Sequence, residues 1–327
     1  MHCSPARWLP IAILAVAACV DGDAPNNPAD AADREFQVPG GSSARALGPA
    51  LEAEKLVPSA QKWGWYLRTT EAGCVKAGRH TVRGSMSMSE LLAALCSNPL
   101  PDDVPFTVVE GWRIRDIDAE LVKRGWIEAG EYAKLATDKA VTAPFEVTSP
   151  TFEGYLYPET YKIIPTKFSA SDLIERQLGT FRDRFLAKHP DGFGDRSLHE
   201  IVVVASMLER EEPKPANRPM VAGVIWKRLD GGWELGIDAT SRYTLPDWND
   251  RKAFLAKLKD PTDDYGTRVR KGLPPGAIGN PAIESLEAAA APVGSEYWYY
   301  LHDGNGDLHP AKDAAGHEAN RAKYGVY

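Results

Sequence analysis

Apolar residues recur at helical spacing over much of this chain, and the places where the period changes mark its elements. Two short helices are predicted at about Ala50–Leu56 and Ser59–Arg68, then a glycine-punctuated β segment near Lys76–Arg83. Leu91, Leu92 and Leu95 share one side of a helix over Ser89–Cys96, which closes a first unit. Phe106–Val109 reads as a strand that turns at Glu110-Gly111 into a helix carrying Ile114, Ile117 and Leu121, with another short helix near Tyr132. That order suits a small binding module, and it suits plain packing equally well.

From Phe152 to Tyr161 the period drops to two. Phe152 and Leu156 face one way and Glu153, Tyr155 and Tyr157 the other, so a strand with one core face and one polar-aromatic face is predicted. Tyrosines on such a face could stack on sugar rings while their hydroxyls hydrogen-bond, or could be half-buried tyrosines of an ordinary sheet.

The run Ile201-Val-Val-Val-Ala-Ser-Met-Leu-Glu209-Arg-Glu211 has the β-branched content of a buried strand. Its start argues for a helix. Ser197-Leu-His-Glu200 is a capping box, in which the serine and glutamate side chains each satisfy a free amide of the first turn. A helix from Leu198 to about Glu211 is predicted, stopped by Pro213. On it Val202, Ala205 and Ser206 lie seven, four and three residues before Glu209, and all share one face. The Glu209 carboxyl is therefore expected to look out from an apolar wall, where desolvation favours the protonated form that a general acid near neutral pH requires. The competing reading makes Glu209, Arg210, Glu211 and Glu212 a solvated helix end.

Val221, Val224, Ile225 and Leu229 mark a second amphipathic helix, ended by Gly231-Gly232. A loop then carries Asp238 and Tyr243, and Gly272-Leu-Pro-Pro-Gly276 is a stiff turn. Asn280-Pro281 caps a helix over Pro281–Ala291, and the chain finishes with a strand at Tyr297–Leu301 and a turn at Asp303–Asp307.

The start of the chain changes this picture. Arg7 precedes an apolar run, Trp8 to Ala18, that is too short to span a bilayer as a helix. The run ends in Val16-Ala17-Ala18-Cys19, which resembles the lipobox of bacterial lipoproteins and implies cleavage before Cys19 and acylation of that residue. An ordinary secretory signal followed by a chance cysteine is the alternative. Several acyl chains would hold the protein on a membrane, and Val20 in place of Asp after the cysteine favours the outer membrane. Val20 to about Gly48 lacks periodicity and reads as a disordered tether. Once Cys3 leaves with the leader and Cys19 is acylated, Cys74 and Cys96 remain in an oxidising compartment, where they could bridge or stay two separate buried thiols. The net charge is −7, and −8 without residues 1–18 and their one arginine, so no basic footprint for nucleic acid is present.

Five blocks in register resemble the endolytic murein transglycosylases, the YceG-like family. They are Val109-Glu-Gly-Trp112, Glu153-Gly-Tyr-Leu-Tyr-Pro-Glu-Thr-Tyr161, Ala205-Ser-Met-Leu-Glu209-Arg-Glu211, Gly272-Leu-Pro-Pro-Gly-Ala-Ile278 with Asn280-Pro281, and Ser285-Leu-Glu-Ala-Ala289. The resemblance implies an α+β architecture: a small N-terminal α/β unit with a LysM-like subdomain, then an α+β YceG-like catalytic domain. The divisions expected are a leader at 1–18, the tether at 19–48, the N-terminal unit at 49–148 with its subdomain at about 103–148, and the catalytic domain at 149–327.

The resemblance also implies a reaction, the cleavage of the β-1,4 bond between MurNAc and GlcNAc in peptidoglycan without water, on nascent strands whose length it would limit. Glu209 stands where the family has its catalytic acid. It would protonate the glycosidic oxygen, then accept the proton of the MurNAc C6 hydroxyl as that oxygen closes onto the anomeric carbon, leaving an anhydro end. Because the nucleophile belongs to the substrate, neither a cofactor nor a second catalytic carboxylate is needed, whereas most glycoside hydrolases use two. Glu153, Tyr155, Tyr157, Tyr161, Asp238, Thr240, Tyr265 and Asn280 are the substrate-groove residues it implies. The implied partners are peptidoglycan strands, a membrane reached through the lipid anchor on the periplasmic side, and peptidoglycan synthases.

The chain departs from the family in places. Leu235-Gly-Ile-Asp238-Ala-Thr240 stands where the family reads Leu-Gln-Thr-Asp-Pro-Thr, and Tyr265-Gly-Thr267-Arg268 where it reads Tyr-Asn-Thr-Tyr. Two rival readings remain: a peptidoglycan-binding protein that has kept the fold without the catalysis, and a hydrolase using Glu153 or Asp238 as a second carboxylate. No metal is expected. Asp303, Asn305 and Asp307 alternate as in a calcium loop, but Leu308 and Ala314 replace its glycine and glutamate, and His302, His309 and His317 are too widely spaced for zinc.

Overall fold

The computed structural model describes residues 23–70 and 72–326, which form two compact units divided between Asp102 and Asp103. The leader and Cys19, with the acylation expected there, lie outside the described residues. Among those residues no helix is long and apolar enough to cross a membrane.

The first unit runs β1 (Arg34–Val38), α1 (Gly48–Ala53), α2 (Ala60–Tyr66), β2 (Gly78–Val82) and α3 (Met88–Cys96). β1 pairs antiparallel with β2, Phe36 opposite His80, and Phe36, Val38 and Val82 join Trp63, Leu91 and Leu95 in one buried cluster. β1 corrects the disordered tether expected over 19–48. Its partner strand lies beyond two helices, so local composition does not register the pairing that makes Arg34–Val38 a strand. Cys74 and Cys96 are bonded across a sequence separation of 22 residues. A loop of that size predicts that reduction destabilises this unit by on the order of 3 kcal/mol. Thermal melts with and without reductant check this, with a lower midpoint expected on reduction.

The second unit begins with β3 (Val104–Thr107), α4 (Ile114–Lys123), α5 (Glu131–Thr137) and β4 (Thr160–Ile163). β3 and β4 are antiparallel, with the hydroxyls of Thr107 and Thr160 2.9 Å apart. This β-α-α-β piece closes only at β4. Residues 103–148 therefore belong to the second unit, and the division expected at 148/149 falls at 102/103.

The unit continues through α6 (Ala170–Arg184), α7 (Leu198–Glu211), α8 (Arg218–Asp230), α9 (Asp238–Tyr243), α10 (Arg251–Lys257) and α11 (Ile283–Ala290), then β5 (Tyr299–His302), β6 (Leu308–Ala311) and α12 (Ala314–Tyr324). β5 and β6 form the third antiparallel pair, and the mixture of helices and small antiparallel sheets is α+β. α7 is the core of this unit. Its residues Ile201 to Leu208 are all buried, with α8, α9 and α11 packed against it. A helix enclosed on every side is apolar all round, which is why its sequence mimics a buried strand.

The strand expected over Phe152–Tyr161 is mostly absent: Thr160–Ile163 is β4, and the residues before it turn. Gly154 has φ +91°, and a Cβ there would lie 2.5 Å from Ala277 Cβ and 2.6 Å from Val202 Cγ1. Only glycine fits that conformation and that gap. The segment Asp238–Tyr243, expected as a loop, is α9. Helix α6, not predicted above, carries both of its signals: Ser169 caps it, and Leu173, Ile174, Leu178 and Phe181 keep the helical period.

Candidate active site

Asn280 ties the family blocks together. Its Oδ1 accepts from the amides of Gly154 (2.9 Å) and Leu156 (3.0 Å), while its Nδ2 donates to the Trp112 carbonyl at 2.9 Å. Main-chain bonds add to this, Gly111 N to Asn280 O at 2.7 Å and Asn280 N to Trp112 O at 2.8 Å. Ser206, on α7, accepts from the amide of Ile278 at 3.0 Å. Three segments far apart in sequence thus converge beside the C-terminal half of α7, where Glu209 sits.

The surroundings of Glu209 are more polar than an apolar wall alone would make them. Its side chain is 8% exposed, so this is not a solvated helix end, and although Val202, Ala205 and Ser206 on its helix are buried as expected, the carboxyl group itself is met by charge and hydrogen-bond donors. Arg218, 6% exposed at the start of α8, grips it bidentately: Nη2 to Oε1 at 3.1 Å and Nη1 to Oε2 at 3.2 Å. Oε2 also accepts from the Ala282 amide at 2.9 Å and the Ser285 hydroxyl at 2.8 Å, both at the N-terminus of α11, where the helix dipole favours an anion. The reason is general: a buried carboxylate persists when charge and hydrogen bonds compensate for lost water. Oε2 holds three donors and Oε1 only one, so Oε1 keeps the acceptor capacity with which to meet a substrate oxygen.

Gly111 lies over this carboxylate with φ +76°, and a Cβ on it would stand 3.5 Å from Glu209 Cγ. The exposed Glu110 beside it has its pKa raised, by partial burial first and then by the charges of Glu209 and Glu284. Glu110 and Glu284, both exposed, form the charged rim of the site.

Most of the expected groove residues are structural. Tyr155, Tyr157 and Tyr161 are 1%, 8% and 4% exposed, closed to a glycan strand, and the Tyr161 hydroxyl donates to the Tyr157 carbonyl. An alternating pattern places side chains on two faces only if the backbone is a strand, and here it turns. Asn280 and Thr240 are fully buried, Thr240 donating to the Ile237 carbonyl at 2.7 Å. Asp238 pairs with Arg268 and lines a different cavity, of about 360 Å³, with Glu211, which burial and the charge of Asp238 push up to about 7. Tyr265 is half-buried, its ring 4.8 Å from that of Tyr243.

Glu153 is 3% exposed and accepts from the Ile114 amide, the Tyr243 hydroxyl and Asn280 Nδ2. Burial outweighs those bonds and pushes its carboxyl from 4.5 up to about 8. A raised carboxyl stabilises the fold fully below its unfolded value, and that stability is lost as pH climbs through the folded one. Denaturation of the wild type should therefore become easier between pH 4.5 and about 8, by on the order of 5 kcal/mol at about 1.36 per unit. Glu153→Gln should flatten that slope, as urea titrations across the range would read.

Sequence reasoning missed Arg218, since nothing local to it signals an ion pair with Glu209. It also passed over Arg113, Arg210 and Trp248. Arg210 Nη2 donates to the Gly111 carbonyl at 2.5 Å, and its guanidinium lies 4.5 Å from the Trp248 ring.

The model of the YceG-like family matches residues 36–323. The chain is 26% identical to the endolytic murein transglycosylase of Bacillus subtilis over 306 residues, covering 88% of this chain and 84% of that protein. It is 23% identical to a Streptococcus pneumoniae protein of the same name over 91% of its own length, and spans only 60% of that relative. Among solved structures, the crystal structure of a yceG-like protein from Listeria monocytogenes aligns with a TM-score of 0.58 at 25% identity, covering 88% of this chain and 99% of the other. Since the match takes in the Glu209 helix and every segment that converges on it, the chain belongs to the YceG-like family.

Proposed function

We propose that this protein is a lytic transglycosylase of peptidoglycan in which Glu209 is the single catalytic acid and base. Entering the cycle protonated on Oε1, Glu209 gives that proton to the oxygen of the MurNAc–GlcNAc bond, that bond breaks, and the resulting carboxylate takes the proton of the MurNAc C6 hydroxyl as the C6 oxygen bonds to the anomeric carbon, which restores the acid form. No water is consumed. The observation that carries the reading is the carboxyl group itself, buried where the family blocks converge and fixed through Oε2, with Oε1 left free to carry and exchange a proton. The relatives' shared name supplies the substrate class.

The hydrolase alternative draws no support from its two named carboxylates. Glu153 is enclosed in the core, and Asp238 is held by Arg268 along another cavity. Tyr265 stays in the reading as a groove residue. The finer parts belong to the same proposal: the β-α-α-β piece as a LysM-like glycan-binding module, acylation at Cys19 with outer-membrane placement facing the periplasm, work beside peptidoglycan synthases, and limitation of nascent strand length. Digestion of purified sacculi by wild type and by Glu209→Gln tests the core of it. Soluble muropeptides from the wild type only are expected, and no product from the wild type would leave a binding protein.

A further inference from the structure

We propose that the cavity of about 440 Å³ lined by Trp112, Arg113, Lys123, Arg210 and Trp248 is a subsite for a carboxylate on the peptide carried by the muramyl residue at the bond being cut. Its substrate rests on the proposed reaction, and its chemistry on the geometry of two arginines.

Arg113 is 8% exposed. Its Nε and Nη2 both donate to Asp116, each at 2.8 Å, while Nη1 is shielded from solvent and has no hydrogen-bond partner among the described residues. A buried donor without an acceptor is costly, and a ligand oxygen would relieve it. Arg210 has no acidic partner among the described residues, and its pKa is lowered by burial and then by the charge of Arg113. The acids that line the cavity are engaged: Asp116 by Arg113, and Glu120 by Lys123 and Arg124 at 3.2 and 3.1 Å. Two guanidiniums thus share one cavity that lacks a free counter-charge.

The aromatic lining fits the same occupant. Trp248 lies 4.5 Å from the Arg210 guanidinium and 5.5 Å from that of Arg113. A ring this close attracts both guanidiniums without using their N–H donors, which stay available to a planar carboxylate. The half-buried rings of Trp112 and Trp248 supply apolar surface for the rest of the ligand.

Position identifies the bearer. A Cβ on Gly111 would be 3.4 Å from Arg210 Cζ and 3.5 Å from Glu209 Cγ, so the cavity and the catalytic acid flank one residue. A ligand there belongs to the substrate whose glycosidic bond meets Glu209. Of the two sugars, only MurNAc carries a peptide with carboxylates. A pyrophosphate at a strand end would offer similar oxygens and must be separated by experiment.

The full chain is assayed on peptide-bearing strands and on the same strands stripped by an amidase. The wild type is expected to favour the peptide-bearing strands by about tenfold in kcat/KM, the worth of one charge-assisted contact of about 1.4 kcal/mol. In Arg210→Gln the ratio falls to about one, and in Arg210→Lys it is partly kept. A wild-type ratio of one, or a variant that slows both substrates alike, overturns the subsite. A second arm reads binding without cleavage, by tryptophan fluorescence of the wild type with free muramyl tripeptide, its carboxyl-amidated form and inorganic pyrophosphate. Tighter binding of the free acid supports the proposal, even where neither strand is cut and the proposed reaction fails. Equal binding of acid and amide, or a response to pyrophosphate alone, overturns it.

Discussion

Glu209→Gln is expected to slow glycan cleavage by about 10²- to 10⁴-fold, the range that a positioned general acid and base contributes. The amide cannot release a proton to the leaving oxygen, nor take one from the C6 hydroxyl. It also places an NH₂ among groups that all donate: the Arg218 guanidinium, the Ala282 amide and the Ser285 hydroxyl. Arg218 is then left 6% exposed without its counter-charge, so some loss of stability accompanies the loss of activity. The rate is therefore compared at a temperature where both proteins are folded by circular dichroism. A variant within a few-fold of the wild type under those conditions would remove Glu209 from the chemistry.

Arg218→Met is expected to destabilise the second unit by about 3–5 kcal/mol, because breaking one side of a buried ion pair leaves the other charge uncompensated. The pair is buried on both sides, 6% and 8% exposed, so solvent screens little of this. Urea denaturation reads the loss directly. The double variant with Glu209→Gln should recover part of it, since neither charge then remains, and that non-additivity distinguishes the pair from two independent contacts. Arg218→Lys keeps the charge but loses the planar fork that reaches both oxygens. It should be milder in stability than in rate, because what it chiefly disturbs is the aim of the carboxylate. Equal stability of Arg218→Met and the wild type would mean that the pair does not hold the site together.

The helix that carries the acid was legible because its signals are local. The Ser197–Glu200 box fixes its start, the spacing of Val202, Ala205, Ser206 and Glu209 fixes one face, and the observed span is Leu198–Glu211. What surrounds the acid was not legible. Arg218 reaches Glu209 across the turn at Pro215–Asn217, and Ala282 and Ser285 come from the far end of the chain. The tyrosines of 155–161 were misplaced for a related reason. Their alternation is that of a strand, but Asn280 takes the amides of Gly154 and Leu156 that a strand would give to a neighbour, and the backbone turns. The tether failed likewise, since Arg34–Val38 becomes a strand only by pairing with Gly78–Val82. Burial, too, is a property of the assembled unit: Glu153 and Asn280 look like groove polar groups in sequence and prove to be the fasteners of the core.

In the proposed reaction Glu209 is sufficient because the sugar provides its own nucleophile, and the mass of the product tests that claim most directly. Strands digested by the wild type and resolved by mass spectrometry should end in anhydro-MurNAc. Reducing ends heavier by one water would show that a water molecule attacked instead, and would contradict it.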